Sequence, residues 1–275
     1  MAQTKVRSLI EITRPTNSLF GGVATLIGAY IGGIVVVPTV IASVVTIMGT
    51  GAGNAINDYF DAEIDEINRP DRPIPSGRVS GGEAVILSAI LLAVALITTV
   101  VTLPPLAIAI GIVNLFALVG YSSHLKRKPF IGNLTVGYLT GSAFLFGGAA
   151  VGGIKFTLVL FLLALLATLG REIVKDVEDM KGDMEVEAKT LPIIWGKKRS
   201  LSLATFFVVV AVALSPVPYF FEIFGLDYIV AVVPADLLLL AGIWASWGKP
   251  SKGQKLLKVG MFVAMFAFVA ARFIA

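Results

Sequence analysis

EAVILSAILLAVALITTVVTLPPLAIAIGIVNLFALVGYSS, residues 83–123, decides the fold, and Glu83 is its only charged side chain. The pair Pro104-Pro105 divides it into two apolar runs, 83–103 and 105–123. Each is about the 20 residues that a helix needs to cross a hydrocarbon core. In lipid each backbone N–H must find its acceptor inside the segment, so such runs are helices. Working outward, further apolar segments fall at 17–36, 39–57, 132–151, 155–175, 200–220, 228–247 and 256–274. Pro38 and Gly152-Gly153 are expected to mark tight turns. Gly and Ala run through most spans, which permits close helix approach. The expectation is an all-α polytopic membrane protein. Nine transmembrane helices form one bundle, as a single domain over residues 1–275.

Composition agrees: 56% of the residues are hydrophobic and 15% charged, against about 25% charged in soluble domains. The absence of Cys excludes disulfides and thiolate metal sites. The segment Met1–Arg14 carries Lys5, Arg7 and Arg14 and no small-residue cleavage pattern follows it, so it does not read as a secretory signal. The net charge of +4 does not imply nucleic acid, because the basic residues are segregated by side. With nine spans, twenty of the 22 Lys and Arg lie on one side; only Lys155 and Arg272 lie on the other. The populated side is therefore read as cytoplasmic, with the N-terminus inside.

Two acidic sets lie on that side: Asp58, Asp61 and Asp65, then Asp176, Asp179 and Asp183. Both have the spacing i, i+3, i+7, which keeps three side chains near one helix face. The first follows the second span and the second follows the sixth, which suggests two four-helix halves plus a ninth helix. Carboxylates beside a membrane core are costly unless paired. Asn57, Asp58, Asp61, Asp65, Asp176, Asp179 and Asp183 offer hard oxygens suited to Mg²⁺, which also bridges phosphate oxygens. Lys175 stands where the first set has Asn57, so the copies are not interchangeable. A solvated acidic run needs no such periodicity twice, and a proton or cation pathway does not account for the basic loops beside the sets.

Those loops supply candidate anion ligands. Arg69, Arg72 and Arg78 lie in a proline-stiffened loop directly after the first set, and Lys126 in a second basic loop. Arg171, Lys175 and Lys181 share the segment of the second set, and Asn54 precedes the first. His124, the only His, lies at a loop edge and is not expected to be catalytic. Asp236 lies inside a span, a costly position, and Asn17, Asn114 or Asn133 are possible partners. The Phe-rich spans read as lipid-facing or packing.

Asn57-Asp58-x-x-Asp61-x-x-x-Asp65 and Asp176-x-x-Asp179-x-x-x-Asp183 resemble the paired motifs of the UbiA superfamily of intramembrane prenyltransferases. Arg14-Pro15-x-Asn17, at the start of the first span, looks like the family too. Runs 67–77, 126–133 and 170–179 look most like its branch that builds archaeal ether lipids. The resemblance implies a polyprenyl diphosphate donor, geranylgeranyl diphosphate, held through two Mg²⁺, with Asp61, Asp65, Asp179 and Asp183 carrying catalysis. Arg14, Asn17, Asn54 and the basic residues above would bind substrate. It implies geranylgeranylglyceryl phosphate as acceptor, a plasma-membrane location and a site open to the cytoplasm. The alternatives are a UbiA-type enzyme with an aromatic acceptor and, outside enzymes, a transporter. The Asp-Gly-x-x-Ala-Arg core of CDP-alcohol phosphotransferases is absent, since Ala-Glu-Ile-Asp follows Asp61.

Asp61→Ala or Asp179→Ala is expected to lower turnover by more than about 100-fold in folded protein. Near-normal product formation by either variant, measured by mass spectrometry, would contradict the metal-diphosphate reading.

Overall fold

Long apolar segments adopt the one local structure that satisfies their backbone in lipid, and the rest of the chain connects them. The computed structural model describes residues 2–185 and 188–273. In chain order the α-helices are α1 (Ala2–Ile12), α2 (Pro15–Gly32), α3 (Val36–Phe60), α4 (Ala62–Asn68), α5 (Gly81–Thr102), α6 (Pro105–Ser123), α7 (Ile131–Ala150), α8 (Ile154–Glu185), α9 (Leu191–Trp195), α10 (Lys197–Leu214), α11 (Val217–Phe220), α12 (Leu226–Ser246) and α13 (Pro250–Phe273). No strand occurs among the described residues. Among the described residues, seven helical segments are long and apolar enough to cross a membrane. Their outward faces are apolar: Val101, Phe116 and Trp244 are 76%, 70% and 81% exposed. This is an integral membrane protein.

Seven differs from the nine spans read from sequence. The other two segments, 17–36 and 132–151, correspond to α2 and α7, which are helical but rich in Gly, Thr and Ser. Their small residues mediate packing. A Cβ on Gly28 would lie 2.1 Å from the Phe144 carbonyl oxygen, and one on Gly147 2.0 Å from that of Thr25. The two backbones are therefore in contact, which only Gly permits.

Local punctuation also differs from expectation. The turn before α3 is made at Gly33, whose φ of 117° closes α2. Pro38 instead sits in the first turn of α3, where a missing N–H costs nothing. Pro104-Pro105 and Gly152, φ 84°, mark turns as read from sequence. The segment 200–220 is interrupted at Ser215-Pro216, between α10 and α11. Asp236 accepts from Ser215 Oγ at 2.6 Å, and Tyr228 donates to the Ser215 carbonyl at 2.7 Å. The intramembrane carboxylate thus secures a helix break, and its partner is Ser215 rather than any of the three asparagines.

The chain forms two compact units: Met1–His124 with Ser142–Thr157, and Leu125–Gly141 with Leu158–Ala275. In the first, Ala42, Val45, Ala95, Leu103, Ala107, Phe146, Ala149 and Ala150 form one core cluster. A smaller cluster of Ile12, Ala55, Val79 and Ala84 joins α1, α3 and α5. Ser43 Oγ donates to the Gly22 carbonyl and Ser88 Oγ to that of Ala52, linking α3 to α2 and α5. In the second unit, Leu169, Ile173, Val177, Leu201, Val208, Leu239, Ile243 and Leu257 pack α8, α10, α12 and α13 together.

Gly147→Ala is expected to destabilise the protein by about 1–3 kcal/mol, because the new methyl meets backbone that cannot step aside. Gly82→Ala meets nothing within 4 Å and serves as control. Thermal denaturation in detergent checks this; equal midpoints for the two variants would contradict the close packing of α2 on α7.

Candidate active site

The first acidic set is built where α3 ends. Asp58 lies in its last turn and is 3% exposed; Asp65 lies in α4 and is 5% exposed. Between them Asp61 leaves helical geometry, with φ −96° and ψ 1°. Its N–H still reaches the Asn57 carbonyl at 3.0 Å, and the Asp65 N–H reaches the Asp61 carbonyl at 2.8 Å. The set thus spans a kink instead of one straight helix face. Asp61 is half-buried and accepts from Asn57 Nδ2 at 2.8 Å.

Two arginines neutralise the buried pair. Arg14 Nη2 ion-pairs with Asp58 Oδ1. Arg72 Nη1 lies 3.4 Å from that same oxygen and also pairs with Asp65 Oδ2. Arg14 is the residue before α2, followed by Pro15 at the first helical position, and its backbone is left-handed, with φ 48° and ψ 69°. That region is uncommon for a residue with a Cβ.

The structure separates the three loop arginines. Arg72 reaches the acids. Arg69 is exposed, its N–H closing α4 on the Asp65 carbonyl at 2.8 Å. Arg78 donates to Glu11 Oε2 at 2.5 Å and to the Asp71 carbonyl at 2.6 Å. Lys5 donates to the Arg78 carbonyl at 3.1 Å and to Glu83 at 2.6 Å, while Glu83 also forms the capping box of α5 with Ser80. The outer half of the loop is therefore fastened to α1. Asn54 Nδ2 donates to the Thr13 carbonyl at 3.0 Å, which fixes the turn presenting Arg14. Asn17 is exposed in the first turn of α2.

In the second unit α8 runs unbroken to Glu185, past the end of the apolar run at 175, so Asp176, Asp179 and Asp183 lie on one helix, as their spacing reads. Asp176 accepts from Asn133 Nδ2, on α7, at 2.8 Å. The amide that this set lacks in its own segment is thus supplied from 43 residues away. Asp179 is exposed and Asp183 half-buried. The buried Glu172 takes Arg171 Nη1 at 2.5 Å and Lys175 Nζ at 3.4 Å, and Arg171 Nη2 donates to Gln254 of α13 at 3.3 Å. Lys181 is exposed and Lys126 half-buried. Neither Glu172 nor Gln254 belongs to a repeated spacing. Their part in this cluster comes from packing between α8 and α13.

No group of three His, Asp or Glu side chains among the described residues converges into a cage able to hold a metal alone. Mg²⁺ does not require one, since it is commonly bound by one or two carboxylates, waters and substrate phosphates. Asp61, Asp179 and Asp183, only partly buried or exposed, fit that role by donor type and access. The arginines beside Asp58 and Asp65 carry planar, multiply donating cations, the chemistry suited to phosphate oxygens.

Membrane helices with two carboxylate sets and attendant guanidinium groups define a class. The UbiA prenyltransferase family model matches residues 18–267, and the chain belongs to this family; it is a membrane prenyltransferase. Among individual proteins it is 52% identical over 271 residues to the digeranylgeranylglyceryl phosphate synthase of Natronomonas pharaonis, covering 98% of each chain. A solved structure of digeranylgeranylglyceryl phosphate synthase in membranes superposes with TM-score 0.83 at 38% identity, over 97% of this chain and 98% of the other. The fold is also shared with a UbiA homolog from Archaeoglobus fulgidus bound to GPP and Mg²⁺, with TM-score 0.76 at 17% identity over 96% and 99% of the chains.

The hydrogen bond from Arg78 holds the Glu11 carboxyl below its ordinary value of 4.5. A depressed carboxyl pKa contributes stability that is present above the ordinary value and is lost as pH falls through the lowered one. The thermal midpoints of wild type and Glu11→Gln should therefore differ near neutral pH and converge in acid. A difference unchanged down to about pH 3 would show that the ion pair is not its source.

Proposed function

We propose that the chain transfers the geranylgeranyl group of geranylgeranyl diphosphate to the free glycerol hydroxyl of geranylgeranylglyceryl phosphate, forming the second ether bond of archaeal membrane lipids. The observation that carries this reading is 52% identity, over 98% of both chains, to a relative named for that product. The site chemistry supports it. The donor is a diphosphate, and the residues on hand are carboxylates able to hold Mg²⁺ and guanidinium groups able to hold phosphate oxygens.

The nine segments read from sequence are taken as nine spans of one catalytic domain. The N-terminus and both acidic sets lie on the cytoplasmic side of the cell membrane. The segregation of twenty of the 22 Lys and Arg supports this orientation. Asn57, Asp61 and Asp65, and likewise Asp176, Asp179 and Asp183, would serve as Mg²⁺ ligands, with two ions used in the reaction. Mg²⁺, when bound, would neutralise the diphosphate and make it a better leaving group.

The chain's own residues have three tasks. Arg14 and Arg72, with Arg171, Lys175 and Lys126, offer N–H donors to phosphate oxygens as negative charge builds on them. The apolar helix walls exclude water from the allylic carbon once its C–O bond weakens. The acceptor hydroxyl then forms the new C–O bond and gives up its proton, while pyrophosphate leaves with the electrons of the old bond. The acceptor's phosphate calls for cations separate from those on the diphosphate; exposed Arg69 and Lys181 are candidates.

Purified protein with Mg²⁺ and geranylgeranyl diphosphate is expected to release pyrophosphate only when an acceptor is present. Offered a prenylglyceryl phosphate together with hydroxybenzoates, it should yield the diether by mass spectrometry. Prenylation of the aromatic acids alone would overturn the lipid-ether assignment, and lipid flux in liposomes without pyrophosphate release would overturn transferase chemistry.

A further inference from the structure

Asp58 differs from the other carboxylates of the first set. A single oxygen, Oδ1, receives two guanidinium groups, Arg14 through Nη2 and Arg72 through Nη1. Asp58 and Asp65 are both buried, 3% and 5% exposed, whereas Asp61 is half-buried. What sets Asp58 apart is therefore its pairing: Asp65 takes one guanidinium, shared with Asp58, while Asp58 takes two. A carboxylate oxygen already held by two cations is the poorest of the three for a further cation.

The backbone that carries each arginine is fixed by hydrogen bonds. Arg14 keeps its left-handed backbone between Thr13 and Pro15. The Thr13 carbonyl accepts from both Asn54 Nδ2 at 3.0 Å and Ser18 Oγ at 2.9 Å. Such a conformation costs on the order of 1–3 kcal/mol and persists where its surroundings over-determine it. Arg72 is anchored through its own carbonyl, which accepts from Ser76 N at 3.0 Å and Ser76 Oγ at 2.6 Å. A guanidinium carries five N–H donors. Among the described residues, Arg14 uses only Nη2 and Arg72 only Nη1 on carboxylates, so each keeps donors for a second anion. Arg72 Nη1 is also shared with Asp65, so Asp65 can turn to another cation while Asp58 still holds the guanidinium.

We propose that Asp58 is a positioning residue and not a metal ligand. Its buried carboxylate gathers Arg14 and Arg72 into a paired guanidinium receptor for the donor's diphosphate. With Asp58 and Asp65 both paired, the four charges cancel. Once Asp65 is drawn to a divalent cation, the remaining three leave a net positive charge for the incoming anion. This division of labour rests on the diphosphate-donor reading but not on the identity of the acceptor.

The test compares Mn²⁺ binding, read by electron paramagnetic resonance, with the affinity for inorganic pyrophosphate in the presence of Mn²⁺, on full-length protein in detergent. Neither readout contains an acceptor, so failure of the ether-lipid assignment would not disturb it. Asp58→Asn is expected to bind Mn²⁺ within about threefold of wild type and pyrophosphate about tenfold more weakly, which is about 1.4 kcal/mol. Asp61→Asn should instead lose Mn²⁺. Arg14→Gln on top of Asp58→Asn should weaken pyrophosphate little further, because both changes dismantle one receptor. Loss of Mn²⁺ in Asp58→Asn, or unchanged pyrophosphate affinity, overturns the proposal. Should that variant not fold, Arg14→Lys keeps the charge and removes the fork. Its pyrophosphate affinity should fall with Mn²⁺ binding intact, and wild-type affinity would overturn the proposal equally.

Discussion

A carboxylate can be buried beside an apolar helix bundle only if another group answers its charge or its hydrogen bonds, and much of the site's architecture follows from that constraint. Asp58 is 3% exposed and is met by two guanidinium groups. Its partners come from the turn before α2 and from the loop after α4. Holding Arg14 in place requires the Thr13 turn, which requires Asn54 from α3 and Ser18 from α2. Holding Arg72 requires the compact loop whose far end is tied to α1 through Arg78 and Glu11. One buried charge thus accounts for why the N-terminal helix, the kinked end of α3 and the proline-rich loop form a connected structure.

The second acidic set meets the same constraint by other means. Asp176 takes a neutral amide from Asn133, and the buried carboxylate nearby, Glu172, takes the cations Arg171 and Lys175. In the first set cations sit directly on the motif; in the second they sit on a carboxylate one helical turn before it. An ionic partner holds a carboxylate charged and competes with other cations for it, whereas an amide satisfies it without adding charge. The two sets therefore have different electrostatic surroundings although their spacing is the same. The intramembrane Asp236 is a third solution, a hydroxyl from Ser215 at a helix break.

Much was legible in the chain itself. Apolar runs of span length located the helices because lipid leaves a backbone no other structure. The Asp spacings marked two candidate sites because carboxylates so close to a hydrocarbon core are costly. α2 and α7 were read as spans and are helices, but their glycines lower their apolar character below that of the other seven; the contact between their backbones was not legible. The extension of α8 through the second set was marked by the helical spacing of its carboxylates and not by hydropathy, since charged residues end a hydropathy pattern without ending a helix.

The sequence by itself determined the membrane-spanning helices, the two acidic sets and, through the paired motifs, the family. These depend on composition and local spacing, which a linear chain displays. Only the tertiary structure decided what each charged residue does there. Arg72 and Arg78 lie six positions apart in one loop, yet one neutralises Asp58 and Asp65 and the other fastens Glu11. Asn54 and Asn57 are a single turn apart, yet one secures the Thr13 carbonyl and the other Asp61. The reason is physical. A charge or an amide takes the partner that folding brings within about 3 Å, and that partner is set by packing between helices far apart in sequence.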